Sequence, residues 1–197
     1  MQTNVLWTGR EYYSLENCLV NTTASGTEVS SFIVGEYQSI LYRVHYQIRT
    51  NNKWETVYAE IRAQHNNVRQ HLLFERDATG KWMFNGKDSA KFNECVDVDI
   101  PLTPFTNTLP INRLKLKKGE ERIIKVIYID LLGNRISAVQ QKYIRLSKTD
   151  FKYENVPNDF EATIKVDEQG LVLDYPLLFE RKLALKSSYP SGSIERR

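Results

Sequence analysis

The sequence predicts a mainly β fold with a single short helix, and three observations carry that prediction. Apolar and polar residues alternate with a period of two over most of the chain, turn-forming Asn, Asp and Gly recur between the alternating runs, and tyrosine, a strand former, occurs 11 times. At 197 residues the chain fits one domain, and a domain of this size buries roughly 70% of the surface its unfolded chain exposes. It therefore needs neither a metal nor a disulfide for stability.

The clearest strand places Ile40, Tyr42, Val44, Tyr46 and Ile48 on one face against Leu41, Arg43, His45, Gln47 and Arg49 on the other. From Trp54 to Gln64 a second run puts Val57, Ala59, Ile61 and Ala63 on one side and Thr56, Tyr58, Glu60 and Arg62 on the other. Asn51-Asn52-Lys53 joins the two as a hairpin, since Asn tolerates the positive φ of a tight turn. Val68, Leu72 and Phe74 follow, then a turn at Asp77-Ala78-Thr79-Gly80, the run Lys81 to Phe84 and a turn at Asn85-Gly86. Together these predict a meander of antiparallel strands.

Ile123 to Ile129 is apolar on both faces, which predicts a central strand covered on both sides. Leu132-Gly133-Asn134 turns the chain into Arg135 to Leu146. Phe160, Ala162, Ile164 and Val166 alternate strictly, and a turn at Asp167-Glu168-Gln169-Gly170 leads into Leu171 to Tyr175, a further hairpin. Only Pro101 to Leu116 lacks the period of two. It predicts a short helix with Thr108 as N-cap, Pro110 near its first turn and Leu109, Asn112, Arg113 and Leu116 on one face. The domain is expected to span residues 1–183, with the small and polar segment 184–197 as a disordered tail.

Composition excludes several classes. Apolar residues make up 41% and charged residues 26% of the chain, the balance of a globular domain. Twenty-seven Lys and Arg against 24 Asp and Glu leave a net charge of +3 with the signs interleaved, so nucleic acid is not expected as a partner. The N-terminal residues Met1 to Gly9 contain no basic region followed by an apolar stretch, and no apolar run reaches bilayer-spanning length. A cytoplasmic protein without an integral membrane segment is expected. Cys18 and Cys95 are then two reduced, buried thiols that behave as small apolar side chains.

The sequence has no Cys-x-x-Cys, no Gly-x-Ser-x-Gly, no Walker loop and no dinucleotide fingerprint, and His45, His65 and His71 lack metal-pair spacing. No cofactor, metal or catalytic residue is assigned. Asp97-Val98-Asp99 is the one acidic pair of note, because alternation on a strand sends both carboxylates to one face about 7 Å apart. Such a pair suits metal binding or acid–base work. Its structural alternative, pairing with Arg113 or capping the following helix, is favoured about two to one, since ion-pair networks perturb carboxylates as sites do. Tyr42, Tyr46, Trp54, Tyr58 and Trp82 either fill a core or, with their apolar bodies and polar handles, wall a pocket for an amphipathic or sugar-bearing ligand.

The run Cys95 to Ile100, followed by Thr103-Pro104-Phe105-Thr106-Asn107-Thr108-Leu109-Pro110-Ile111-Asn112-Arg113-Leu114, closely resembles the bacterial putative glycolipid-binding family. The resemblance extends to the strand around Tyr42 and Tyr46, the Trp54 segment, the Asp77 to Trp82 turn and Val166 to Pro176, and covers the chain up to about Arg181. It implies a spiral β-roll, about fifteen antiparallel strands wound around one helix, and a homodimer. The family name rests on likeness to lipoprotein-carrier and lipid-binding folds, so the resemblance brings an analogy and no catalytic residues.

The reading that joins these observations is a non-enzymatic protein whose cleft binds a glycolipid or other amphipathic lipid. Tyr42, Tyr46, Trp54, Tyr58 and Trp82 would form its walls, and Asp97, Asp99, Asn107 and Arg113 its polar anchors. Two rivals stand beside it: an enzyme on a sugar- or lipid-linked substrate using Asp97 and Asp99, and a dimeric scaffold without a ligand.

Overall fold

A computed structural model describes residues 1–187. Eight strands come first: β1 (Gln2–Gly9), β2 (Ser14–Thr22), β3 (Gly26–Tyr37), β4 (Ile40–Asn51), β5 (Thr56–His65), β6 (Val68–Arg76), β7 (Trp82–Phe84) and β8 (Lys87–Asp88). A one-turn 3-10 helix at Ala90–Phe92, strand β9 (Asp97–Asp99) and helix α1 (Phe105–Leu114) form the crossover. The chain then continues as β10 (Glu121–Asp130), β11 (Arg135–Arg145), β12 (Asp150–Val156), β13 (Glu161–Val166), β14 (Val172–Tyr175) and β15 (Phe179–Ser187).

All fifteen strands form one open sheet in the order β8-β7-β6-β5-β4-β3-β2-β1-β15-β14-β13-β12-β11-β10-β9. Two antiparallel meanders are joined where β1 pairs with β15, and only β9 runs parallel, to β10. The sheet winds as a spiral β-roll around α1. Its hairpins form where the turn residues predict them. Asn85 and Gly86 both have positive φ, as the tight β7–β8 turn requires, and Gly80, Asn134 and Gly170 do the same in their turns.

Winding explains a burial pattern that pairing order alone does not. β10 is penultimate in the sheet, not central, yet Val126, Ile127 and Ile129 are buried on its two faces. Ile124 and Val126 pack into a cluster with Tyr143, Phe151, Tyr153 and Tyr175, whereas Ile127 and Ile129 face a separate cluster with Trp7, Tyr46, Phe74 and Trp82. The β9–β10 end of the sheet is tucked inside the roll. Gln70 of β6 fastens it there, donating to the Leu131 carbonyl (2.6 Å) and to Asn134 Oδ1 (2.7 Å). The outer start of the strand stays in solvent, with Ile123 half exposed.

Local differences from the sequence expectations have identifiable causes. Helix α1 begins one turn earlier than a Thr108 cap requires, with Pro104 at the N-cap and Pro110 in the interior. The Thr103 hydroxyl accepts the Phe105 N–H (3.0 Å), and Phe105 and Leu109, four apart, are both fully buried, so tertiary packing places the helix. In the β4–β5 connection the positive φ falls on Trp54, not on an Asn, while Asn51 Oδ1 accepts the N–H groups of Lys53 and Glu55. A bulge in β5 pairs Thr50 with Thr56 and Arg49 with Tyr58, which leaves Val57 as the extra residue and turns Thr56 inward. β15 continues to Ser187, paired with Gln2, so the strand runs four residues past the expected boundary at 183. Residues 188–197 of the expected tail lie outside the described part. Cys18 and Cys95 are both buried and free.

Candidate functional site

The two halves of the crossover organise two different interiors. On one side, Phe105 stacks near Tyr46 (centroids 6.4 Å apart) and Phe92 meets Phe74 (6.0 Å). Trp82 donates from Nε1 to the Cys95 carbonyl (2.9 Å) and Trp7 from Nε1 to the Val172 carbonyl (2.8 Å). This side is filled by its own side chains. On the other side, between β9, α1, β10 to β12 and the loops after β1, β12 and β14, lies an open cavity of about 460 Å³.

Its aromatic wall comes from Tyr12, Tyr128, Tyr153, Phe160, Tyr175 and Phe179. The rings form a connected set: Tyr153 to Phe160 is 6.1 Å, Phe160 to Tyr175 6.3 Å, Tyr153 to Tyr175 6.3 Å and Tyr175 to Phe179 6.3 Å between centroids. Burial holds the phenols of Tyr12, Tyr153 and Tyr175 above the ordinary tyrosine value and pushes that of Tyr128 up to about 12. The polar floor is Asp99, Asn107 and Gln141. Asp99 Oδ1 accepts from the Thr106 hydroxyl (2.9 Å) and Oδ2 from Gln141 Nε2 (2.7 Å), and the Tyr143 hydroxyl donates to Asn107 Oδ1 (2.9 Å). Burial raises the Asp99 carboxyl above its usual range, partly offset by those two hydrogen bonds and reinforced by Asp97.

Of the nine residues singled out from the sequence, Asp99 and Asn107 line this cavity. Asp97 is fully buried beside it and bound to Arg113, whose Nε and Nη2 reach its carboxylate at 3.1 and 2.6 Å. Burial raises the Asp97 carboxyl and the guanidinium opposes the rise. The pair ties β9 to the last turn of α1. Tyr42, Tyr46 and Trp82 are core residues, at 5%, 0% and 0% exposure, and none of them lines the cavity. Trp54 packs half-buried against the same core. Tyr58 sits under the Arg49 guanidinium, 4.0 Å from its ring centroid, and edges a second, more open depression of about 590 Å³. That depression is larger, but it is rimmed by Glu28, Arg49, Glu75, Arg76 and Asp77 and has no comparable aromatic wall. Among the described residues no three His, Cys, Asp or Glu side chains converge as a metal-ligand set, and no helix is long and apolar enough to cross a membrane.

One feature behind the cavity wall has no counterpart in the sequence expectations. Glu16 on β2 is 1% exposed, and its Oε1 accepts from Ser31 (2.7 Å), Tyr46 (2.7 Å) and Thr103 (2.9 Å), while Oε2 has no partner. Burial pushes its carboxyl up to about 7 against the pull of the three hydroxyls. The signal was available in the alternation Ser14, Glu16, Cys18, Val20, which all face inward while Leu15 points to solvent. No local pattern marks the aromatic wall, because its members come from four stretches of the chain, around Tyr12, Tyr128, Tyr153 to Phe160 and Tyr175 to Phe179.

Fold and cavity together define a single-sheet β-roll with two packed clusters, one of which opens into a cavity. The sequence pattern described as putative glycolipid-binding matches residues 4–181, and the chain belongs to that family. No curated protein matches. Among solved structures, a DUF1089 family protein from Pseudomonas aeruginosa is similar at 31% identity and a TM-score of 0.76, over 84% of this chain and 91% of that one. A beta-barrel-like protein of the domain of unknown function DUF1849 from Brucella abortus shares the fold at 6% identity and a TM-score of 0.55, over 93% of this chain and 96% of that one.

Proposed function

We propose that this protein binds an amphipathic, lipid-like ligand in the cavity walled by Tyr12, Tyr128, Tyr153, Phe160, Tyr175 and Phe179, with Asp99 and Asn107 as polar anchors. The observation that carries the reading is the hollow itself. A roll whose other side is packed with Trp7, Trp82, Tyr46 and Phe74 leaves about 460 Å³ open here, with an aromatic wall over a small polar floor. Cavities of this size and lining suit a ligand with an apolar body and a polar end. The description of the family agrees with that chemistry.

Native mass spectrometry of protein purified from its own host, followed by organic extraction, tests the reading. A stoichiometric adduct is expected on the wild type and should be absent from Val139→Trp, which fills the cavity from β11 while the melting temperature is retained. An adduct of equal occupancy on both proteins would reject the cavity as the binding site.

A second reading draws on Asp99 alone. A carboxyl raised by burial in an open cleft is what an acid catalyst on a sugar- or lipid-linked substrate requires. Its intended partner Asp97 is committed to Arg113. Turnover of an alkyl glycoside that disappears in Asp99→Asn would favour this reading over simple binding.

A further inference from the structure

We propose that the rim of the roll beside the cavity mouth docks on a bilayer of zwitterionic phospholipid, with Tyr13, Leu41 and Leu177 entering the zone between headgroups and acyl chains. None of the three lines the cavity. Docking therefore goes beyond the binding function proposed above and does not depend on what the cavity holds.

At 73%, 72% and 78% exposure, Tyr13, Leu41 and Leu177 are the three most exposed large apolar side chains among the described residues. Topology places all of them at one end of the sheet. Tyr13 lies in the loop between β1 and β2, Leu41 just past the tight turn between β3 and β4, and Leu177 in the turn between β14 and β15. These strands are neighbours in the order β4-β3-β2-β1-β15-β14, so successive tips stand about 10 Å apart along the rim. Leu15 and Val34, paired across β2 and β3 and both exposed, extend the apolar surface down the outer face.

A packed base carries the tips. The Tyr12 ring lies 5.0 Å from Tyr37 and 6.1 Å from Phe179 between centroids, the Arg10 N–H donates to the Leu178 carbonyl (2.7 Å), and the Tyr42 hydroxyl donates to the Tyr12 carbonyl (3.1 Å). Tyr12, Leu178 and Phe179 also line the cavity, so the tips flank its mouth. Tyr13 and Leu177 hold φ of 38° and 66°, in the left-handed region that bulky side chains disfavour. Burial within the chain does not offset that strain, because both side chains project into solvent. Large apolar groups kept at strained, solvent-facing positions point to a contact outside the chain.

What separates the tips decides the kind of contact. Between them lie charges of both signs: Arg10 pairs with Asp174 (3.0 Å) and Glu180 (3.2 Å), Glu11 is exposed, Glu36 accepts the Ser39 N–H, and Arg43 donates to Gln64 (2.6 Å). A protein seated on all three tips would desolvate these groups, which is costly without new partners. Phospholipid headgroups keep them hydrated while Tyr and Leu reach the acyl boundary, the placement such residues take at membrane surfaces. The mixed signs give the rim no polybasic cluster to favour an anionic surface.

Co-sedimentation of the full chain with phosphatidylcholine vesicles, which contain no glycolipid, tests the surface. The wild type is expected to bind equally at low and high salt, and adding phosphatidylglycerol should change its affinity by less than about twofold. The triple variant Tyr13→Asn, Leu41→Thr, Leu177→Asn should bind about tenfold more weakly. Its melting temperature should be equal or higher, because Asn accepts the left-handed backbone. Val139→Trp, which fills the cavity, should still sediment with the vesicles, so cavity binding and docking are read independently. No vesicle binding by the wild type, full binding by the triple variant, or binding abolished by salt would overturn the docking surface. Self-association that the triple variant loses, without vesicle binding, would overturn it too and assign the tips to a second copy of this chain.

Discussion

The two sides of the roll are built from the same residue classes and differ in what stands opposite them. Over β4 to β7 the inward aromatics meet the crossover, where Phe92, Phe105 and Leu109 fill the space against Tyr46, Phe74 and Trp82. Over β10 to β14 the inward aromatics pack into a second cluster that Tyr12 joins, and Tyr153, Phe160 and Tyr175 of that cluster also border the cavity opposite Asn107 and Asp99. An aromatic on the inner face of a strand is therefore core or cavity wall according to its opposing element.

That difference can be broken by truncation on each side. Trp7→Ala removes a fully buried ring and the Trp7 to Val172 hydrogen bond, and is expected to cost about 3–5 kcal/mol in denaturant unfolding. Arg113→Ala strands the buried Asp97 carboxylate and should cost about 3 kcal/mol. Asp97→Asn in the same chain should recover part of that loss, whereas an additive double variant would show that the pair does not couple.

Glu16 gives a test that depends on pH. Its folded carboxyl, pushed to about 7, lies above the unfolded value, so the native state binds the proton more tightly. The associated stability is complete below the unfolded value near 4.5, declines as pH rises toward 7 and is absent above it. The decline should be on the order of 3 kcal/mol, and Glu16→Gln should flatten it. Equal slopes for the two proteins between these limits would show that Glu16 does not titrate within that range. The smallest effect is expected in the cavity wall. Phe160→Ala, a half-buried ring on the hollow side, should cost about 1 kcal/mol and weaken amphiphile binding more than it weakens the fold.

Much of the architecture was legible because it is periodic. The alternation from Ile40 to Ile48 and from Phe160 to Val166, and the turns at Asn85-Gly86 and Asp167 to Gly170, specify hairpins by local rules, and the structure follows them. The helix was visible as a break in that period, although its first residue was set by packing of Phe105 and Leu109 rather than by a cap at Thr108. What could not be read locally depends on winding. The double-sided burial of Val126 and Ile127 looks like a central strand and arises from a sheet end folded into the roll. The site was legible at the floor, where Asp99 and Asn107 flank one distinctive motif. Its wall gathers Tyr12, Tyr128, Tyr153 and Tyr175 from stretches far apart in the chain, so it depends on the winding of the sheet and leaves no local pattern in the sequence.

The most direct test of the hollow side as the binding site is backbone and aromatic NMR of the labelled protein during titration with octyl β-glucoside. Shifts confined to Tyr12, Asn107, Tyr128, Gln141, Tyr153 and Tyr175, with Trp7, Tyr46 and Trp82 unmoved, are the predicted result. Shifts centred on the Trp7, Tyr46 and Trp82 side, or spread over the outer face of the sheet, would contradict it.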